Sequence, residues 1–345
     1  MMAVLEVRDL RVRLPTDDGI VTAVDGVSYT VDAGRTLGIV GESGSGKSIS
    51  SLTIMGLTRF LPGAEITGQV LLDGRDLLAA DDEELRRVRG AGIAMIFQDP
   101  LSAMHPYFRL GAQLAEAVRA HGAVGRRAAD ARAVELLELV GVPEARRRAA
   151  AYPHELSGGM RQRAMIAMAL ANAPRVLIAD EPTTALDATV QAQILEELDR
   201  LQDELGMATV LITHDVGVVA QVAHEIAVMY AGRIVERGPV DTILAEPQHP
   251  YTWGLLTSIP RLNRPRGEAL PSIPGRPPSL ISPPSGCRFH PRCIHARPEH
   301  ATVSPELEAV PGDPSHRVAC LLDPAERQAR WRALRDSAAA EEVTT

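Results

Sequence analysis

The stretch Gly41-Glu-Ser-Gly-Ser-Gly-Lys-Ser48 follows the apolar run Leu37–Val40 and fits the pattern G-x-x-x-x-G-K-[ST]. Glycines in such a loop let backbone N–H groups approach phosphate oxygens, and a helix that begins there adds the positive end of its dipole. The Lys47 ammonium suits the β- and γ-phosphates, and the Ser48 hydroxyl suits Mg²⁺. The alternative is a chance Gly/Ser-rich turn, which would rarely keep both the preceding strand and every fixed position. The candidate phosphate-binding residues are Gly41, Ser43, Gly44, Ser45, Gly46, Lys47 and Ser48.

A second apolar run, Val176–Ala179, ends directly in the carboxylates Asp180 and Glu181. Two acids in this position are often only a helix cap. Downstream of a phosphate-binding loop they suit a different chemistry, because a carboxylate can hold Mg²⁺ through water and a neighbour can polarise an attacking water. We therefore predict that Asp180 is a Mg²⁺ ligand and that Glu181 is catalytic.

The segment Leu156-Ser-Gly-Gly-Met160 precedes a run with helical spacing. A serine and two glycines at a helix N-terminus can form a second anion site, made of Ser157, Gly158 and Gly159. The alternative is an ordinary serine N-cap followed by flexible glycines. That alternative explains Ser157 but leaves the basic Arg161-Gln-Arg163 and the later acidic strand unexplained.

The pattern of short apolar runs predicts an α/β fold. The early runs alternate with period two and indicate an antiparallel sheet that leads into a parallel core strand. These runs are Leu5–Val7, Val21–Val24, Gly26–Val31, Thr36–Val40 and Gln69–Leu72. Residues 81–151 have helical spacing, and the chain then alternates between helix and strand, which is typical of a parallel sheet. The predicted elements are helix Gly159–Ala171, strand Val176–Ala179, helix Val190–Leu205, strand Ala208–Thr213 and helix Val216–Ala223.

Composition excludes several functions. A net charge of −8 and an aromatic content of 3% argue against nucleic acid as a partner. No apolar stretch reaches the roughly 20 residues that span a bilayer, and the N-terminus has no secretory pattern. The sequence predicts a cytosolic protein, or one held at a membrane by partners.

Together these motifs resemble the nucleotide-binding domain of the ABC ATPase family, from the chain start to about Leu322. The resemblance implies a RecA-like parallel core, an antiparallel β subdomain and a helical subdomain at about 99–160, with ATP and Mg²⁺ bound. It implies that the P-loop of one subunit and the signature motif of another enclose each ATP. Met160 stands where the family usually has glutamine. The family's adenine-stacking aromatic has no counterpart in Leu14–Thr22, where Ile20 or Val21 are candidate replacements.

Three further residues match family positions. Gln98, in Ile-Phe-Gln-Asp99, resembles the Q-loop glutamine, which senses Mg²⁺. Asp187, in Ala185-Leu-Asp187, resembles the D-loop, which links the two ATP sites. His214, in Leu-Ile-Thr-His-Asp215, resembles the switch histidine on the γ-phosphate. A single histidine after a strand is usually only a polar terminus, so His214 depends on the other motifs for this role.

Other segments resemble one subfamily, the D-type ATPases of dipeptide, oligopeptide or nickel importers. They are Gln98–Pro106, His249–Leu256, Gly286–Cys293 and His316–Cys320. The resemblance implies a second ABC ATPase subunit, two membrane permease subunits and, indirectly, an extracytoplasmic solute-binding protein. The chain would then be peripheral on the cytoplasmic face of the cell membrane. The alternative is a soluble ABC ATPase that acts on nucleic acid or ribosomes, which the acidic charge disfavours.

At about Ala245 the sequence becomes rich in proline, which disfavours regular helix and central strand. We predict an ATPase domain at 1–244 and a separate, loop-rich C-terminal extension at 245–345, which ends in a charged helix at Ala325–Ala340. In the resembling subfamily this extension commonly carries four cysteines that can bind a [4Fe–4S] cluster. Here Cys287, Cys293 and Cys320 remain, and His300 stands at the other position. Zinc also suits such a set, and buried cysteines without metal are the third reading.

Overall fold

The protein is described by a computed structural model that covers residues 3–184, 186–259 and 272–343. The strands are β1 Ala3–Thr16, β2 Gly19–Asp32, β3 Thr36–Val40, β4 Glu65–Leu72, β5 Arg75–Asp76, β6 Ile93–Ile96, β7 Val176–Asp180, β8 Ala208–Thr213, β9 Glu225–Tyr230, β10 Arg233–Pro239, β11 Glu308–Val310 and β12 Asp313–Val318. The helices are α1 Lys47–Ile54, α2 Asp82–Val88, α3 Pro100–Ala103, α4 Leu110–Arg119, α5 Arg126–Leu139, α6 Ala145–Ala149, α7 Gly158–Ala169, α8 Ala188–Leu205, α9 Val216–Val222, α10 Val240–Ala245, α11 Pro250–Thr257 and α12 Pro324–Val343. Short 3₁₀ turns occupy Thr58–Phe60, Pro153–Glu155, His290–Arg292 and Pro298–Ala301.

These strands form two sheets within the described ranges. One is antiparallel, in the order β2-β1-β4-β5, and the other has the order β11-β12-β10-β9-β3-β8-β7-β6. The central strands β9, β3, β8, β7 and β6 run parallel, while β10, β12 and β11 extend the sheet with antiparallel pairs. This is the predicted α/β architecture, with a parallel core beside an antiparallel β sheet.

Buried residues lie on both faces of the larger sheet. On one face, the β1–β2 hairpin and α1 pack against β3, β7 and β8 through residues such as Leu10, Ile39 and Ile54. On the other face, α4, α5, α7 and α8 pack through residues such as Leu136, Ile166 and Ile194. A parallel strand buried on both faces reads as a continuous apolar run, which is why β3 and β8 have the bounds predicted from sequence.

Two predicted strands are in fact one. The runs Val21–Val24 and Gly26–Val31 both belong to β2, because β1 pairs with it along its length through several register shifts. These shifts are bulges or other irregularities, and a bulge allows a long strand to bend. No helix of the described residues is both long enough and apolar enough to cross a bilayer.

The C-terminal extension is joined to the ATPase sheet, while the domain division at residue 245 stays a prediction. Its strand β12 pairs with β10, placing Glu236 opposite Val318, and so continues the ATPase sheet. It also contains the regular helix α11, which starts at Pro250. Proline is favourable at a first helical position because its missing N–H would have no helical partner there. The predicted charged helix is present as α12.

A buried carboxylate connects these parts. Glu236 of β10 is 0% exposed, and His316 of β12 lies 2.7 Å from its Oε1 through Nε2. The backbone N–H groups of Gln248 and His249, just before α11, also donate to this carboxylate. Buried polar groups need such partners, since an unpaired one is costly. Glu236 therefore joins β10, β12 and the start of α11.

We expect Glu236→Ala to destabilise the protein by about 3–5 kcal/mol, because it removes one member of a buried pair and leaves three donors without their acceptor. The free energy of unfolding, measured by urea denaturation, tests this. Glu135→Ala is the control, because it breaks only an exposed ion pair with Arg132 on the surface of α5 and should cost less than about 1 kcal/mol. Similar losses for the two variants would contradict the role given to Glu236.

Candidate functional site

The phosphate-binding loop follows β3 and leads into α1, as predicted. Close packing requires glycine at two positions of the loop. A Cβ on Gly41 would lie 2.1 Å from the carbonyl oxygen of Met229, and a Cβ on Gly46 would lie 2.1 Å from the carbonyl oxygen of Ala23. The Lys47 ammonium is buried and donates to the carbonyl oxygens of Gly41 at 2.6 Å and Glu42 at 2.9 Å. Burial lowers the pKa of Lys47 from its ordinary value, and nearby carboxylates oppose that shift.

Asp180 lies at the end of β7, beside the start of α1. The Ser48 hydroxyl donates to Asp180 Oδ1 at 3.1 Å. Burial raises the pKa of Asp180 above its ordinary value, and the Ser48 hydrogen bond and the Lys47 charge act against that rise. Hydroxyl and carboxylate oxygens are the hard ligands that Mg²⁺ prefers, usually with one or two carboxylates and several waters. The pair Ser48–Asp180 therefore fits a Mg²⁺ ion.

Glu181 is the centre of a polar cluster. Its carboxylate accepts hydrogen bonds from Gln98 Nε2 at 3.0 Å and Thr184 Oγ1 at 2.9 Å, and His214 Nδ1 lies 3.3 Å away. Glu181 has a φ of 48°, in the left-handed region that non-glycine residues rarely adopt. Such strain persists only where surrounding contacts hold it, and it is frequent at functional sites. The cluster contains three of the predicted site residues, and Thr184 is an addition that the sequence analysis missed.

The sheet explains why these residues meet. Strands β3, β8 and β7 are parallel neighbours, with Val40 opposite Thr213 and Asp180 opposite Ile212. Parallel strands end at the same sheet edge, so the residues that follow them are brought together, and ligands of open α/β sheets bind at that edge. Lys47, Asp180, Glu181 and His214 therefore share one edge although they are far apart in the chain.

The remaining predicted ATP contacts occupy the starts of two helices. Ser157 caps α7 by accepting from Met160 N–H, and Asp187 caps α8 by accepting from Val190 N–H. Gly159 of α7 lies against Val190 of α8, because a Cβ added to Gly159 would be 2.9 Å from the Val190 side chain. Within the described residues, the side chains of Ser157 and Asp187 form no hydrogen bond to the P-loop. Ala185, at the start of the predicted D-loop, lies outside the described residues.

The region without an adenine-stacking aromatic is the tip of the β1–β2 hairpin. Leu14 pairs with Val21 there, and Ile20 is 45% exposed. The C-terminal extension reaches the same tip, because the Thr22 N–H donates to the Leu280 carbonyl at 2.9 Å. The base-contacting role of Ile20 or Val21 stays a prediction.

The four candidate metal ligands of the extension line one small cavity of about 10 Å³. They are Cys287, Cys293, His300 and Cys320. Burial raises the pKa of all three thiols, that of Cys320 to about 12, which favours the protonated form in the metal-free protein. A metal ion would deprotonate the thiols that coordinate it. A cavity of this size holds about one water molecule. Across the part of the chain that the structure describes, no three His, Cys, Asp or Glu side chains form a metal-binding group. The structure therefore brings the four side chains to one place, and a cluster or zinc bound by them stays a prediction.

Two contacts from the extension to the P-loop were not predicted. Arg292 forms an ion pair with Glu42, and Tyr251 accepts a hydrogen bond from the Glu42 N–H. Glu42 occupies a variable position of the loop motif, so the motif itself gives no signal for it. Tyr251 and Arg292 lie in the segments that resemble the importer ATPases, and that likeness was the one hint available.

Comparisons with known proteins agree with this geometry. A model of the ABC transporter family matches residues 24–184, and one of the oligopeptide/dipeptide transporter C-terminal region matches residues 235–299. The chain is 52% identical over 292 residues to the oligopeptide transport ATP-binding protein OppD of Bacillus subtilis, covering 85% of this chain and 82% of that protein. The chain belongs to the ABC transporter ATP-binding family.

This ABC ATPase is also 48% identical over 307 residues to OppD of Haemophilus influenzae, with 89% of this chain and 94% of that protein covered. Its fold is similar to the dimeric post-hydrolysis state of the ATP-binding cassette MJ0796 bound to ADP and Pi. That comparison has a TM-score of 0.62 and 29% identity, over 68% of this chain and 98% of the other. The protein is thus an ATP-binding and ATP-hydrolysing subunit, and the nucleic-acid alternative is set aside.

We expect the gain in ATP affinity from Mg²⁺ to shrink as the pH falls. Burial raises the pKa of Asp180, so its carboxylate takes up a proton at a higher pH than an ordinary aspartate and loses the charge that attracts the cation. The loss should reach about tenfold per pH unit below that pKa, as for any single protonation that competes with a metal. Calorimetric titration with ATP, with and without Mg²⁺, measures it. In Asp180→Asn, Mg²⁺ should raise the ATP affinity only slightly at every pH. A variant whose Mg²⁺ effect depends on pH in the same way as that of the parent protein would contradict the assignment.

Proposed function

We propose that this chain energises the import of di- or oligopeptides through an ABC importer. The observation that carries the proposal is the combination, in one chain, of the ATP-site cluster around Glu181 with the C-terminal region typical of oligopeptide/dipeptide transporters. The relatives from Bacillus subtilis and Haemophilus influenzae are both named for oligopeptide transport. Nickel is the other solute of the subfamily, and the peptide-named relatives favour peptides.

The ATP-binding half of the mechanism rests on the P-loop. Gly41, Ser43, Gly44, Ser45 and Gly46 offer backbone N–H groups to the phosphates, and Lys47 neutralises part of their charge. Ser48 and Asp180 hold Mg²⁺, with Gln98 beside them, and the ion neutralises charge on the phosphates when bound. The 3.1 Å contact between Ser48 and Asp180 supports this arrangement, because it leaves two oxygen ligands side by side.

The hydrolytic half rests on Glu181 and His214. Glu181 orients the attacking water and accepts its proton, and His214 donates to the γ-phosphate. The cluster supports these roles, because Gln98 and Thr184 fix one carboxylate oxygen of Glu181 and leave the other near His214. Fixing the base before reaction contributes to catalysis, since the geometry does not have to be found in the transition state.

Each ATP is shared with a second ABC ATPase subunit. Ser157, Gly158 and Gly159 serve the ATP held by the partner's P-loop, and Asp187 links the two sites. The N-terminus of α7 supports this, because Ser157 and Gly158 are exposed there and available to an incoming phosphate. The two ATPases bind two membrane permease subunits on the cytoplasmic face, and an extracytoplasmic solute-binding protein delivers the peptide. A metal in the C-terminal extension is not part of the proposal.

Reconstitution of the importer in vesicles tests this function. Complexes that contain this chain should take up labelled di- or oligopeptide only with ATP on the side of the ATPases. Glu181→Gln should keep ATP binding and lower both hydrolysis and uptake by about 10²-fold or more, the usual contribution of a general base. Uptake of nickel without uptake of peptide would contradict the assigned solute. Near-normal hydrolysis by Glu181→Gln would contradict the assigned base.

A further inference from the structure

The C-terminal extension contacts the P-loop at one residue, Glu42. Arg292, in the 3₁₀ turn His290–Arg292, donates to both carboxylate oxygens of Glu42, at 2.6 Å and 3.0 Å. Tyr251, in α11, accepts a hydrogen bond of 2.8 Å from the Glu42 backbone N–H. The side chain and the backbone of Glu42 are thus held separately by two elements of the extension.

Arg292 is itself fixed from several sides. Its side chain is 5% exposed, its Nε donates to the Pro274 carbonyl at 2.8 Å, and its guanidinium lies 5.8 Å from the ring centre of Tyr230. The hydrogen bond to Glu42 raises the pKa of Arg292, so it stays charged. A bidentate pair of this kind is directional and among the stronger ionic contacts in proteins.

Tyr251 is equally restrained. It is fully buried, and its ring packs against Tyr230 with 4.6 Å between ring centres and against Phe289 at 5.5 Å. These contacts fix the direction in which its hydroxyl faces Glu42. The Glu42 N–H therefore meets a rigid acceptor.

The contact continues to the phosphate-binding lysine. The carbonyl oxygen of Glu42 accepts a hydrogen bond from Lys47 Nζ at 2.9 Å. A continuous series of polar contacts thus runs from Arg292 through Glu42 to Lys47. The loop between Glu42 and Lys47 contains two glycines, and glycine-rich backbone loses much conformational freedom when it is ordered.

We propose that Arg292 and Tyr251 are positioning residues for the ATP site, through which the C-terminal extension holds the P-loop in its phosphate-binding form. Holding the loop in advance lowers the entropy that ATP binding must overcome, so the benefit appears in nucleotide affinity. The chemical step depends on Glu181, which none of these contacts reaches. The split between affinity and turnover distinguishes a positioning role from a general loss of stability.

A double-mutant cycle on the full-length chain tests the proposal. The variants are Arg292→Ala, Glu42→Gln and the two combined, with Arg292→Lys as the conservative change. Arg297→Ala is the matched control, because it breaks an arginine–glutamate pair of 2.6 Å with Glu326 inside the extension, away from the P-loop. The readouts are the Kd for Mg-ATP, the KM and kcat of the assembled importer, and the thermal midpoint.

We expect Arg292→Ala and Glu42→Gln each to raise the Kd and the KM for ATP by about three- to tenfold, with kcat within about twofold of the parent. The double variant should bind Mg-ATP no more weakly than whichever single variant has the higher Kd, because the two substitutions remove the same interaction. Arg292→Lys should recover part of the affinity, and Arg297→Ala should leave it unchanged. Additive losses, an unchanged Kd in folded Arg292→Ala, or an equal loss in Arg297→Ala would overturn the proposal.

Discussion

The parallel pairing of β3, β8 and β7 is the constraint on which the ATP site depends. It places the P-loop after β3, His214 after β8, and Asp180 and Glu181 at the end of β7 along one sheet edge. The pairing even extends to the strained residue, because the Glu181 N–H donates to the Ile212 carbonyl at 2.8 Å. A shift in strand register would separate these groups by more than a hydrogen-bond length, since each residue of a strand advances about 3.3 Å.

The C-terminal extension is joined to the ATPase by strand pairing and by buried polar contacts. Buried Glu236 joins the β10–β12 pair to the start of α11, and Arg292 and Tyr251 then reach Glu42. These contacts join residues that are far apart in the chain, so each depends on the sheet being complete. The extension can therefore influence the P-loop without contributing a residue to phosphate binding.

The sequence was sufficient wherever local chemistry decides the structure. Local patterns of apolar residues and glycines predict the P-loop, the buried strands β3 and β8, and the two acids at the end of β7. Side-chain pairs were not predictable in this way: Arg292 and Glu42 are 250 positions apart, and neither residue type signals the other. The sequence analysis does not predict helix α11, because proline disfavours the interior of a helix. Pro250 is the first residue of α11, a position where proline is favourable. The candidate metal site rests on the clustering of the cysteines and on resemblance, and it stays a prediction.

The central claim is that this chain supplies half of each ATP site and that a second ATPase supplies the rest. The most direct measurement is the structure of the assembled importer with ATP bound, determined by cryo-electron microscopy. The account predicts that the ATP held by Lys47 contacts the signature serine of the second ATPase, while Ser157 contacts the ATP in the partner's P-loop. A structure with Lys47 and Ser157 of this chain on the same ATP would contradict it.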